Sequence, residues 1–219
     1  DVKLGILIGF TGPIESLTSH MAAAAELAMA EVNASGKAAN TYASVRGDST
    51  CVDSAAATAA AERMITADGV KGIIGGDCSG VTGAVLQNVA RPNGIVMVSP
   101  SATSPALTSA EDDGLFFRTA PSDAREGEVM GEILSEKGVK SIALTYSNSD
   151  YGKGLAEAIA AGFAAKGGTV TIFHDGTEVG TGRVEITQPM IFSADEPTDV
   201  GSESGTCVSP AYTTATSRF

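Results

Sequence analysis

Apolar residues recur in two alternating rhythms as far as Asp175. Short, nearly unbroken apolar runs read as strands: Val2 to Gly9 (VKLGILIG) and Ile95 to Ser99 (IVMVS), both buried, with Val70 to Gly76 (VKGIIGG), Val139 to Tyr146 (VKSIALTY) and Thr169 to Phe173 (TVTIF). Tyr42 to Gly47 and Leu115 to Thr119 are weaker strands. Between them, apolar residues fall at helical spacing. Ser19 to Ala34 places Met21, Ala25, Ala28 and Val32 on one face, and an Ala-rich segment capped by Asp53 runs to Ile65. Ser79 is placed to cap a helix carrying Val81, Val85 and Val89. Ser122 or Asp123 opens one carrying Val129, Met130, Ile133 and Leu134. Tyr151 to Lys166 gathers Leu155, Ile159, Gly162 and Phe163. Gly36, Pro92-Asn93-Gly94, Gly138 and Gly167-Gly168 punctuate these helices.

Strands separated by helices of this length imply right-handed crossovers and mostly parallel sheets flanked by helices, an α/β fold. The unit from Ser122 onward repeats the strand–helix logic of the opening. This predicts a first Rossmann-like lobe over 1–121 and the start of a second over 122–175. In residues 176–219, rich in Gly, Ser, Thr and Glu, the rhythm fails; only Arg183 to Ser193 looks strand-like, and Pro189 interrupts it. This segment is expected to be irregular or to return to the first lobe.

Composition narrows the function. The 219 residues are 43% hydrophobic but only 5% aromatic, with no Trp, and carry a net charge of -12. So acidic a chain lacks the basic footprint that nucleic acid or an anionic membrane surface demands. No apolar run approaches the roughly 20 residues a membrane helix needs. The chain begins at Asp1 beside a strand, as a secreted protein would once its signal peptide is removed, and as a trimmed chain would too. Three cysteines, Cys51, Cys78 and Cys207, are compatible with buried thiols of a reducing compartment as well as with a bridge.

Ligands of open α/β sheets sit beyond the carboxyl ends of the strands, so chemistry is sought after Gly9, Gly76, Ser99 and Tyr146. Gly76-Asp77-Cys78-Ser79-Gly80 is a polar turn opening a helix, where free N–H groups and the Ser79 hydroxyl suit an anion; an N-cap role for Ser79 accounts for it equally well. Ser99-Pro100-Ser101-Ala102-Thr103-Ser104-Pro105 is a stiff loop of donors at the same end of the sheet. Tyr146 to Gly152 is the matching turn of the second unit, where an aromatic ring and Asp150 could face an ammonium and an aliphatic side chain; the plainer reading has Asp150 capping a helix. There is no P-loop around Tyr151-Gly152-Lys153-Gly154 and no Gly-x-Ser-x-Gly elbow. His20 and His174 lack metal-ligand spacing to a cysteine, so no metal or cofactor is expected.

Several motifs in order resemble the type I periplasmic binding proteins of the Leu/Ile/Val-binding family. They are Lys3-Leu4-Gly5-Ile6 with Thr11-Gly12-Pro13, then Cys51, Gly75-Gly76-Asp77-Cys78-Ser79, IVMVSPSATSPALT from Ile95 to Thr108, and Asp150-Tyr151-Gly152-Lys153-Gly154-Leu155 after VKSIALTY. The resemblance implies two α/β lobes, a Cys51–Cys78 disulfide, and a ligand α-carboxylate held by Ser79, Ser101, Ala102 and Thr103. It also implies that Tyr151 closes from the second lobe and that Thr18 and Ser19 line the side-chain pocket. The acidic residue that relatives use for the ammonium lies beyond the matching stretch, so the second lobe is expected to be incomplete.

The function so implied is capture of a small amino acid, branched-chain or similar, in the periplasm for the membrane permease of an ABC importer. A monomer without catalytic activity is expected. A ligand-sensing receptor domain of the same fold and a small α/β hydrolase are the alternatives.

Overall fold

The computed structural model describes residues 1–174 and 177–178. The readings of Arg183 to Ser193, of Cys207 and of the rest of 176–219 lie outside the described residues, except for Thr177–Glu178.

The first sheet is parallel throughout, in the order β2-β1-β3-β4-β5, with β1 (Val2–Ile8), β2 (Tyr42–Asp48), β3 (Gly72–Gly75), β4 (Val96–Ser99) and β5 (Phe116–Arg118). Helix α1 (Glu15–Ser35) joins β1 to β2. Helix α2 (Ser54–Arg63) ends in a π turn at Met64–Asp68. Helix α3 (Ser79–Val85) runs on through a π turn at Leu86–Ala90 into α4 (Arg91–Asn93). Strand β1 buries both faces, which is why its sequence does not alternate. Leu7 packs with Met64, Ile73, Val85, Leu86 and Met97 on one side; Ile6 and Ile8 pack with Ala22 and Met29 of α1 on the other.

Local chemistry sets most of the helix ends. Asp53 accepts from the N–H groups of Ala55 (2.9 Å) and Ala56 (3.0 Å), as its N-cap position requires. Gly36, Gly69, Gly94 and Gly138 close helices in the left-handed conformation. The sequence pattern missed α5 (Ala106–Ser109), a single turn after the Ser/Pro loop.

The fully buried positions of α1 are Thr18, Ala22 and Met29; of the expected face, Met21 and Ala25 pack partly buried against the same cluster, whereas Ala28 is exposed and Val32 is 42% exposed. An Ala-rich helix has too little contrast to fix its own phase. The Thr18 hydroxyl, bonded to the Gly9 and Glu15 carbonyls, helps set it.

The second sheet has the order β6-β7-β8, with β6 (Ser141–Thr145) and β7 (Thr169–His174) parallel and β8 (Thr177–Glu178) antiparallel to β7. Helices α6 (Asp123–Glu136) and α7 (Asp150–Ala165) pack backbone to backbone. A Cβ on Gly127 would collide with the Ala158 carbonyl, and one on Gly131 with Gly162. The fully buried positions of α6 are therefore Asp123, Gly127 and Gly131; of the expected stripe, Leu134 packs partly buried against the core of the second sheet and Ile133 is left 42% exposed. Glycines carry no hydrophobic signal, yet they let helix axes approach most closely. Ser122 caps α6. Ser149, not Asp150, caps α7, accepting from the Gly152 N–H at 3.0 Å. Among the described residues no helix is long and apolar enough to cross a membrane.

Candidate functional site

At the carboxyl ends of β1, β2 and β3 the turns are joined by hydrogen bonds centred on Asp77, which is 3% exposed. Its carboxylate accepts from the Gly9 N–H (2.8 Å) and the Ser49 hydroxyl (2.7 Å), tying together the ends of three strands. Gly75 permits this course: its φ is +143°, and a Cβ there would run into the Leu7 carbonyl. Nearby, Asp48 accepts from the N–H groups of Phe10, Thr11 and Thr50 and from the Thr11 hydroxyl. Burial opposes its ionisation, but these donors outweigh it and hold the carboxyl below its ordinary value. Cys51 and Cys78 form a disulfide that joins the turn after β2 to the start of α3.

The two donor loops meet. The Ser104 N–H donates to the Ser79 hydroxyl at 3.1 Å, and Ser79 is 4% exposed. The Ser99 hydroxyl donates to the Gly76 carbonyl (2.5 Å) and accepts from the Ala102 N–H (2.9 Å); the Ser101 hydroxyl donates to the Asp77 carbonyl (2.9 Å). Ser79 is thus the first residue of α3 rather than its cap. Cys78 holds the cap position and no side chain caps the helix. The acceptor side of the Ser79 hydroxyl is engaged, and its O–H remains to donate.

Thr103 faces the second unit. Its hydroxyl donates to the Asp123 carboxylate, and Asp123 is only 2% exposed. Burial pushes the Asp123 carboxyl up, against the Thr103 hydroxyl and the Arg118 charge, which lower it. Arg118 donates to the carbonyls of Ala102 (3.2 Å) and Ser104 (2.9 Å) and to the Thr108 hydroxyl, bracing the loop from behind. Tyr151 is 46% exposed at the start of α7. Partial burial, and the Asp123 and Glu126 carboxylates, push its phenol up, so it stays a donor.

Of the expected ligand contacts, then, Ser79 is bonded to Ser104, the chain neighbour of Thr103, and the Thr103 hydroxyl is turned to Asp123, whose charge acts on Tyr151. Ser101 and Ala102 use their hydroxyl and N–H to hold the loop itself. Thr18 joins the network through Gly9, while Ser19 is exposed on α1. Asp123 and Arg118 escaped the sequence reading. Asp123 looked like a cap, and Arg118 lies at the end of a short strand; only the buried neighbours of each give it meaning. Asp150 sits across from α3, with its Oδ2 3.3 Å from where a Gly80 Cβ would be.

A groove of about 750 Å³ opens beside this cluster, between α3 and α5 on one side and α6 and α7 on the other. Of the expected contacts it is lined by Ser79 alone; Ser104, Asp150 and Gly154 border it too. Among the described residues no cluster of His, Cys, Asp and Glu could hold a metal ion.

Comparison with known proteins follows this architecture. The periplasmic binding protein family model matches residues 1–183. The Leu/Ile/Val/Thr-binding protein of Salmonella typhimurium and the Leu/Ile/Val-binding protein of Escherichia coli K12 are each 33% identical over 183 residues, covering 82% of this chain and 48% of theirs. The chain spans about half the length of these relatives. Among solved structures, the substrate-binding protein of a Streptococcus pneumoniae branched-chain amino acid transporter, in complex with isoleucine, aligns with a TM-score of 0.68 at 27% identity over 80% of this chain and 50% of that one. An ABC transporter substrate-binding protein of Desulfitobacterium hafniense in complex with Leu aligns with a TM-score of 0.66 at 27% identity, covering 79% and 50%. The fold is the type I periplasmic binding architecture. With the match running from Asp1 to residue 183, and relatives a third identical across that span, the chain belongs to the periplasmic binding protein family, whose members bind solutes and are not enzymes.

Proposed function

We propose that this chain is the ligand-capturing part of an extracytoplasmic binding protein. It holds a small amino acid between a lobe formed by 1–121 and a second lobe beginning at 122, and delivers it to the permease of an ABC importer. The observation that carries this reading is the junction of the two donor loops at Ser79 and Ser104, with Thr103 and Asp123 beside it. A zwitterion brings a carboxylate and an ammonium, and each must find partners when buried. The Ser79 hydroxyl and the backbone around Thr103 supply donors for the carboxylate. Asp123, buried and ionisable, supplies the acceptor for the ammonium, and Tyr151 closes from α7. Ser101, Ala102 and Thr18 shape the site by holding its loops, and Ser19 lies at its margin.

A branched-chain amino acid is the first candidate ligand, since the 33%-identical relatives are named for leucine, isoleucine and valine. A periplasmic location agrees with the family and with the Cys51–Cys78 bridge.

Calorimetric titration of the chain with leucine, isoleucine and valine tests the reading. Saturable heat that Ser79→Ala weakens by about tenfold, the loss of one hydrogen bond to a charged group, is the expected result. No response to these three, nor to a panel of other amino acids, amides and aromatic carboxylates, would sink it.

A further inference from the structure

Two glycines close together in the chain, Gly152 and Gly154, do different work. A Cβ on Gly152 would meet Ser147, in the turn that leads into its own helix. A Cβ on Gly154 would instead meet the other unit, at 3.1 Å from both the Ser104 Oγ and the Pro105 Cδ. Neither of those atoms can yield easily. The Pro105 Cδ belongs to a ring, and Ser104 is 3% exposed, its N–H fixed on Ser79 and its Oγ accepting from the Ala106 N–H at 3.3 Å.

We propose that Gly154 and the Ser104–Pro105 turn form the bearing on which the second unit closes over the first. The missing side chain at 154 sets how near Tyr151 comes to Ser79. Gly154 is a positioning residue: it lies one turn after Tyr151 on α7, so any displacement of the helix at 154 displaces Tyr151 with it. The same seat places the Asp150 carboxylate against Gly80, a second point where α7 meets a position of the first unit that has no room to spare for a side chain. This inference rests on the reading that a small molecule is held between the two units, but the bearing is a contact within the protein and can be measured without a ligand.

Hydrogen–deuterium exchange on the full chain, without ligand, compares the wild type with Gly154→Ala. Faster exchange is expected in both 100–110 and 150–156, with the segments of β1 and α2 unchanged. Unchanged exchange in 100–110, or faster exchange everywhere, overturns the bearing. Leucine titration then reads the consequence: Gly154→Ala should weaken binding by about tenfold, the scale of a modest overpacking penalty. Ser104→Ala removes one of the two obstructing atoms, so adding Gly154→Ala in that background should weaken binding by clearly less than in the wild type, a coupling that a purely structural glycine would not show. Equal losses in the two backgrounds would refute the contact. A wild type that binds no leucine while the exchange pattern appears as described would overturn the functional reading and leave the bearing standing.

Discussion

The Thr103 hydroxyl donates to the Asp123 carboxylate across 3.0 Å, and the Asp123 N–H returns to the Thr103 carbonyl, also at 3.0 Å. This reciprocal pair ties the donor loop of the first sheet to the first residue of α6, where the second unit begins. It also leaves a buried carboxylate beside the loop proposed to hold the ligand's own carboxylate. Asp123→Asn keeps the shape and removes the charge. Leucine affinity should fall by about 30-fold or more, as for truncating one partner of a buried charged pair. The melting temperature should hold or rise, because burial disfavours the ionised form. Calorimetry and thermal unfolding on one preparation separate the two effects.

Asp123 and Asp48 should respond to pH in opposite senses. Burial raises the folded pKa of Asp123 above its ordinary value, so the folded state holds the proton more tightly. Its stability contribution declines as pH rises through the window between the ordinary and the raised value. Ligand affinity runs the other way and weakens as pH falls into that window, since a protonated Asp123 cannot pair with an ammonium. For Asp48 the folded pKa is lowered. Its contribution is complete above the ordinary carboxylate value and is lost as pH falls through the lowered one. Asp48→Asn should therefore flatten the acid limb of the stability curve, whereas Asp123→Asn should flatten the acid limb of leucine affinity.

The Cys51–Cys78 bridge spans a sequence separation of 27. In the chain-entropy account such a closure stabilises by about 3–4 kcal/mol, so a Cys51→Ser/Cys78→Ser chain should lose roughly that in urea unfolding. The bridge also anchors the residue before Ser79, so leucine affinity should drop with it.

The α6–α7 seam has no room for a methyl at Gly131, where a Cβ would meet the backbone of Gly162. Gly131→Ala should destabilise by about 1–3 kcal/mol, as overpacking does, despite the gain in helix propensity. Gly83→Ala, in α3, where the nearest atom to the new Cβ is the Leu107 Cδ2 at 3.9 Å, should cost little by comparison. Denaturant midpoints of the two variants make the contrast.

The alternation of buried strands and helices was legible in the sequence, because strands buried on both faces must be apolar throughout and helices that cover them must be amphipathic. Asp53 as a cap and Gly36, Gly94 and Gly138 as helix ends were legible for the same reason: these residues act on their immediate neighbours. The phase of α1 was not, since alanine differs too little from its surroundings, and the glycine seam of α6 was invisible because it consists of side chains that are missing.

By itself the sequence determined the α/β class, the polar turns at the carboxyl ends of its strands, and, through its motifs, the kinship that implied the Cys51–Cys78 pair. Only the tertiary structure decided which polar atoms in those turns are already engaged, as in Ser101 and Ala102, and which face the neighbouring unit, as in Thr103. Only it gave Asp123 and Arg118 their places beside the loop, and Gly154 its contact with Ser104. Local patterns report interactions a few residues apart. Burial, pKa and the partners of a polar group depend on atoms that the chain brings together from far along its length.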